Sequence, residues 1–239
     1  MSKKLILLAG PTASGKSNLA IQLAKKLNGE IINADSMQIF KEFSVLSSRP
    51  SIVQTKEIKH HLFGIVSVTK HFSAGDWLDQ AKIKINNCLK KKKVPIVVGG
   101  TGLYFNTITK GISKIPNIDL KTRNKVRSLY NKIGFKRFYK ELVKFDPEIK
   151  GRILPTDSQR VQRAYEVKLK TKKSIFHWFT KTKSDFLDFE IKKIFIDIPR
   201  DVLLKKISER TEQMFERRCI SEVKRFNKLK INKSLSANK

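Results

Sequence analysis

Gly10-Pro11-Thr12-Ala13-Ser14-Gly15-Lys16-Ser17 carries glycines, a lysine and a hydroxyl at the spacing G-x-x-x-x-G-K-[ST]. A loop of this composition turns successive backbone N–H groups toward one point and cradles a di- or triphosphate. Lys16 would reach the terminal phosphates, and Ser17 would offer its hydroxyl to Mg2+. The loop follows Leu5-Ile6-Leu7-Leu8-Ala9, a strand signal, and precedes a helical pattern, which is the context such a loop needs. It indicates that a diphosphate is held, without saying what becomes of it.

Four other stretches have residue types that do chemistry. Asp35-Ser36 closes a second strand signal, where open α/β sheets build their sites. Asp35 there serves either as Mg2+ support or general base, or as the cap of an Asx-turn or helix. Gly99-Gly100-Thr101-Gly102 ends a third strand without the acid that commonly supports Mg2+ in an ATPase. Its glycines permit close backbone approach, and Thr101 adds a hydroxyl. In Asp157-Ser158-Gln159-Arg160-Val161-Gln162-Arg163, Arg160 and Arg163 lie one helical turn apart with Gln159 and Gln162 beside them. Such a face either reads phosphates and base edges or is an ordinary solvated helix. Arg210, on a late helix, is a candidate cationic clamp for the phosphates. His60, His61 and His71, with Cys88 and Cys219, have no metal-ligand spacing and read as structural.

These residues need a scaffold. Short apolar runs at 4–9, 30–33, 95–98 and 193–198 read as strands. Helical spacing follows at 16–27, at 76–91, from 103 and from about 201. Strands alternating with helices imply an α/β fold, a P-loop-type parallel sheet flanked by helices. Between them lies a basic, aromatic stretch of helical spacing. The expected organisation is therefore a core of 1–112 and 191–239 with an inserted all-helical lobe at 113–190. Residues 227–239, rich in Lys, Asn and Ser, carry no clear element.

The formal net charge is +30. Residues 1–109 hold 16 basic and 6 acidic side chains, and residues 110–239 hold 35 and 15. The excess suits a polyanion such as nucleic acid, although lysine spread over every exposed surface would give the same total. No apolar run approaches the roughly 20 residues of a membrane span, and no signal peptide is visible, so a cytoplasmic protein is expected.

Together the motifs resemble the bacterial tRNA dimethylallyltransferase (tRNA isopentenyltransferase) family. Besides residues 10–17, the resemblance rests on Ala34-Asp35-Ser36-Met37-Gln38-Ile39-Phe40, His60-His61-Leu62 and Phe72-Ser73-Ala74-Gly75-Asp76. Val98-Gly99-Gly100-Thr101-Gly102-Leu103-Tyr104-Phe105 and residues 157–166 complete it. It implies transfer of a dimethylallyl group from dimethylallyl diphosphate to the exocyclic amine of the adenosine beside the anticodon. It further implies Asp35 as general base, Thr101, Lys16 and Arg210 as stabilisers of the leaving diphosphate, and Mg2+ on Ser17. By the same resemblance Asp35, Ser36, Met37, Gln38, Thr101, Arg123, Gln159, Arg160, Val161, Gln162 and Arg163 would touch tRNA, and the protein would be a monomer. The sequence departs from the family at Gly64 (usually Asp), at Leu46-Ser47-Ser48-Arg49-Pro50 (usually Gly-Thr-Ala-Lys-Pro), at Phe40 (usually Tyr) and at Arg217 or Arg218 (usually Gly). Family members also continue past the point matching Lys239. Two other readings follow from the same residues: a small-molecule P-loop kinase using ATP, and a tRNA-binding fragment without catalysis.

Overall fold

The computed structural model describes residues 3–180, 182–231, 235 and 237. Five parallel strands form one sheet in the order β3-β2-β4-β1-β5. They are β1 Lys3–Ala9, β2 Gly29–Asn33, β3 His60–His61, β4 Val94–Gly99 and β5 Phe189–Phe195. Side chains alternate across the pleat. Leu5 and Leu7 of β1 therefore enter one core with Ile32, Val97 and Trp77. Ile6 and Leu8 enter the opposite core with Ala20, Ile21, Ala24, Ile31 and Ile96. Strands buried on both faces explain the unbroken apolar runs in the sequence.

The helices are α1 Lys16–Leu27, α2 Ile52–Glu57, α3 Ala74–Lys90, α4 Gly102–Thr109, α5 Leu120–Phe145, α6 Ser158–Thr171, α7 Ile175–Phe179, α8 Arg200–Glu216 and α9 Cys219–Lys228. α1 has the bounds its spacing predicts. It stops at Asn28, whose left-handed φ of 51° and N–H to Ala24 O close the last turn. α3 starts in a capping box between Ser73 and Asp76.

The last strand is a correction. It was expected at 193–198 and runs Phe189–Phe195, paired residue for residue with β1 from Lys3↔Phe189 to Ala9↔Phe195. β5 is an edge strand whose residues all stay partly or fully exposed, so no continuous apolar run marks it.

The chain divides into two compact units, Met1–Thr109 with Asp185–Lys239, and Lys110–Ser184. The second unit is helical among the described residues and packs Val126, Phe138, Leu142, Ile149, Val161, Ala164 and Val167 into its own core. α5 is interrupted at Gly134, which has φ 74°. Where the chain enters and leaves this unit, Gly111 lies so close to Lys183 that a Cβ would sit 2.2 Å from its carbonyl oxygen. This unit carries 21 basic and 6 acidic residues. No helix is long and apolar enough to cross a membrane among the described residues.

Candidate active site

The phosphate loop leaves β1 at Gly10 and enters α1 at Lys16. Ala13 and Gly15 both take left-handed backbone, with φ 60° and 81°. Gly15 is the N-cap of α1 and makes no side-chain cap, which leaves the first helical N–H groups open to an anion. Lys16 Nζ donates to Pro11 O at 2.5 Å, folding the ammonium over its own loop.

Asp35 is placed by buried contacts behind it. Asn33 is fully buried. Its Nδ2 donates to the carbonyls of Asp35 and Leu62, each at 3.0 Å, and its Oδ1 accepts from Asp35 N at 2.8 Å. Trp77 Nε1 donates to Asn33 O at 2.8 Å, and the indole stacks on Tyr104 at 4.3 Å. Across the sheet, a Cβ on Gly99 would sit 2.1 Å from Ala34 O, so only glycine lets β2 and β4 end this close. Thr101 N then donates to Ala34 O at 3.1 Å, and Thr101 Oγ1 accepts from Ser36 N at 2.9 Å. Asp35 Oδ1 accepts from Met37 N at 2.9 Å and Gln38 N at 3.4 Å. The Asx-turn reading is thus realised, while the carboxylate also faces open space.

That space is a cavity of about 410 Å³ lined by residues 12–18, Asp35, Gln38, Ser48, Pro50, Arg210 and Arg217, among others. A second cavity, of about 250 Å³, is lined by Met37, Leu46, Ser47, Ile207, Thr211 and Met214. Thr12, Asp35 and Arg210 line both. Burial lowers the Lys16 pKa, an effect that Asp35 opposes and Arg210 reinforces. Burial also lowers that of Arg210, opposed by Asp35. The Arg210 Nε is buried and has no hydrogen-bond partner among the described residues. An unpaired guanidinium N–H beside a phosphate loop is suited to an oxyanion.

The other sequence candidates fall out as follows. Gly10 abuts Ile196, 3.1 Å from its would-be Cβ, at the root of the loop. Thr101, among the described residues, is not one of those lining the two cavities; its hydroxyl is joined to Ser36. Ser36 lies in the Asp35 turn, and Met37 and Gln38 line the cavities. Arg123, Gln159, Arg160, Gln162 and Arg163 belong to the helical unit. Arg160 is highly exposed and pairs with Asp157 at 3.3 Å, whereas Arg163 is half-buried against Glu166. The Arg123 Nε is buried without a partner among the described residues. Val161 needs correction: its side chain is 1% exposed in the core of the helical unit, so it packs rather than touching a ligand.

Sequence reasoning missed Asn33, Gln213, Glu222 and Arg217's place in the cavity wall. Asn33 is hidden inside a strand, and the others are polar residues on or at the end of charged helices, where nothing local separates them from solvated ones. The sequence departures also resolve. Gly64 has φ 59°, and a Cβ there would lie 1.9 Å from Arg49 Nη1. Arg49 uses that space to donate to Phe40 O at 3.1 Å and Lys41 O at 3.3 Å. A side chain at 64 would therefore require the Arg49 guanidinium to move aside. Phe40 is a core residue.

Glu30, His61 and Cys88 also come together. His61 Nε2 and Glu30 Oε2 are 2.6 Å apart, and Lys93 Nζ lies 3.3 Å from Glu30 Oε1. Burial raises the Cys88 pKa to about 12, helped by the Glu30 charge. A protonated thiol and a resident ammonium make this a hydrogen-bonded cluster rather than a cation site.

The chain as a whole is similar to known proteins. The IPP transferase family model matches residues 38–239. The chain is 53% identical over 236 residues to the tRNA dimethylallyltransferase of Pelagibacter ubique (strain HTCC1062), covering 99% of this chain and 75% of that protein. It is 43% identical over 222 residues to that of Rickettsia conorii (strain ATCC VR-613 / Malish 7), covering 92% and 61%. A solved eukaryotic dimethylallyltransferase acting on tRNA superposes with a TM-score of 0.82 at 29% identity, over 98% of this chain and 58% of that one. The full-length tRNA isopentenylpyrophosphate transferase of Bacillus halodurans gives 0.64 at 29%, over 98% and 73%. The chain thus spans three quarters of the first relative and less than two thirds of the second.

Proposed function

The chain belongs to the IPP transferase family, and from that premise we propose that it transfers the dimethylallyl group of dimethylallyl diphosphate to N6 of adenosine. The acceptor is the adenosine next to the anticodon (position 37) in tRNAs that read codons beginning with U. The observation that carries this reading is the meeting of Lys16, Asp35 and Arg210 at one cavity beside an open phosphate loop.

The larger cavity suits the diphosphate, and the smaller one, walled by Met37, Leu46, Ile207 and Met214, suits the apolar chain. An exocyclic adenine amine is a weak nucleophile because its lone pair is delocalised into the ring. Asp35 takes the N6 proton as the C–N bond forms and the C–O bond to the diphosphate breaks. The leaving group gains negative charge, which the loop N–H groups, Lys16 and Arg210 stabilise. Ser17 and the diphosphate oxygens form a hard oxygen donor set that fits Mg2+, which when bound would neutralise phosphate charge. Thr101 supports Asp35 through Ser36. The target base must leave its stack to reach such a pocket. The basic helical unit, with Arg123, Gln159, Arg160, Gln162 and Arg163, would grip the tRNA backbone.

The test is to incubate the protein with tRNA, dimethylallyl diphosphate and Mg2+, digest the tRNA and look for prenylated adenosine by mass spectrometry. Product from the wild type and none from Asp35→Ala is expected. Salt-sensitive tRNA binding without product, or ATP turnover on a small acceptor, would overturn the proposal.

A further inference from the structure

Arg210 can clamp a phosphate only if α8 is held against the site, and α8 has no residue that is buried. What holds it must lie elsewhere. α9 follows directly after Arg217 and Arg218, and it is anchored. Cys219 and Glu222 are buried, and Phe226 packs on Phe43 with ring centroids 5.0 Å apart.

Glu222 is unusual for a buried acid in a chain this basic, because its hydrogen-bond partners are three backbone N–H groups and a hydroxyl rather than cations. Its Oε1 accepts from Ser44 N at 3.0 Å, Ser44 Oγ at 2.8 Å and Val45 N at 2.9 Å. Its Oε2 accepts from Leu46 N at 3.1 Å. The contact spans 178 residues of chain. Burial alone would raise the Glu222 pKa, but the hydrogen bonds from Val45, Leu46 and Ser44 outweigh it, and the net shift is downward.

The segment it grips is a wall of the site. Leu46 and Ser47 line the smaller cavity, and Ser48 and Pro50 the larger. The carbonyls of Ser47 and Ser48 hold Gln38 Nε2 at 2.9 and 3.1 Å, and Gln38 N reaches Asp35 Oδ1. One carboxylate therefore joins the Arg210 helix pair to the loop that flanks the Asp35 turn.

We propose that Glu222 is a positioning residue, a latch that sets the distance between Arg210 and the diphosphate by fastening α9 to residues 44–46. It touches no reacting atom. The inference rests on the diphosphate reading of the cavity and adds the contact that holds its Arg210 wall in place.

The experiment measures binding of inorganic pyrophosphate with Mg2+ by calorimetry, alongside transfer kinetics, for wild type, Glu222→Gln, Arg210→Ala and the double variant. Glu222→Gln should fold, bind pyrophosphate on the order of 10-fold more weakly, and raise the KM for the prenyl donor more than it lowers kcat, as expected for a displaced clamp. The double variant should be no weaker than Arg210→Ala alone, because the latch acts through Arg210. A folded Glu222→Gln with wild-type pyrophosphate affinity, or losses that add in full to those of Arg210→Ala, would overturn the latch. If Glu222→Gln does not fold, hydrogen exchange on the wild type decides. Pyrophosphate should slow the amides of Ser44, Val45 and Leu46 together with those of α8; protection confined to residues 10–17 would overturn the inference. A wild type that binds no pyrophosphate would instead sink the diphosphate reading itself.

Discussion

α1 and α8 both line the same cavity, and they are held there in opposite ways. α1 springs from β1 through a six-residue loop and buries Ala20, Ile21 and Ala24 against the sheet. α8 follows an edge strand and has no fully buried residue among its 17, with Leu203, Ile207, Arg210 and Met214 only half-buried. The first wall is part of the folding core, so its geometry is fixed whenever the protein is folded. The second depends on α9 and a few polar contacts, the kind of element that opens locally at low cost.

The sharpest way to break the fixed wall is at Asp35. Asp35→Asn keeps an acceptor for Met37 N and Gln38 N, so the turn survives, but it removes the proton acceptor. Transfer should fall by about 10²–10⁴ with little change in the KM for the donor, read by single-turnover kinetics. A comparable loss of thermal stability would assign Asp35 to the turn alone. On the other wall, Arg210→Ala should cost on the order of 10²–10³ in transfer. Its signature is a weakened response to pyrophosphate, whereas the unfolding midpoint should barely move, because α8 contributes little burial. An equal drop in stability would show that α8 is as much a part of the core as α1.

A smaller effect tests how α9 holds the second wall, through pH. The folded-state pKa of Glu222 lies below its ordinary value of 4.5. Its contribution to stability is therefore fully present above the unfolded value and is lost as pH falls through the folded one. Glu222→Gln should cost about 2 kcal/mol at neutral pH, from buried N–H groups left poorly paired. The gap between variant and wild type should narrow in acid, as measured by chemical denaturation at neutral pH and near pH 3.5. A gap that stays constant would mean that the carboxylate's charge is irrelevant to the latch.

The same contrast explains what was legible in the sequence. The fixed wall is local: strand, glycine-rich turn and helix are consecutive, so residues 10–17 and α1 could be read directly. Asp35 and Thr101 could be placed because parallel strands bring their C-terminal ends to one edge. β5 was misplaced by four residues at its start and three at its end because an edge strand has no apolar run to mark its limits. The second wall is assembled by contacts across most of the chain, between residues 44–46 and Glu222, and nothing in local spacing encodes it. Val161 failed for a related reason. A motif carries a whole turn of helix, and only packing decides which of its residues face inward.

The smallest expected effect concerns the joint between α8 and α9. Arg218 has φ 60° and ψ 40°, left-handed backbone at the point where α8 ends and α9 begins. Glycine takes this conformation without the Cβ penalty, and it is the residue the related family usually places nearby. The left-handed state costs a non-glycine residue about 1–2 kcal/mol, whereas glycine restores roughly half of that to the unfolded chain as entropy. Arg218→Gly should therefore stabilise the protein by up to about 1 kcal/mol, a rise of about 2–4 °C in Tm for a chain of this size. Because the strain lies at the joint between α8 and α9, hydrogen exchange should slow in both of these helices. Unchanged exchange there, with no rise in Tm, would mean that the left-handed joint carries no strain.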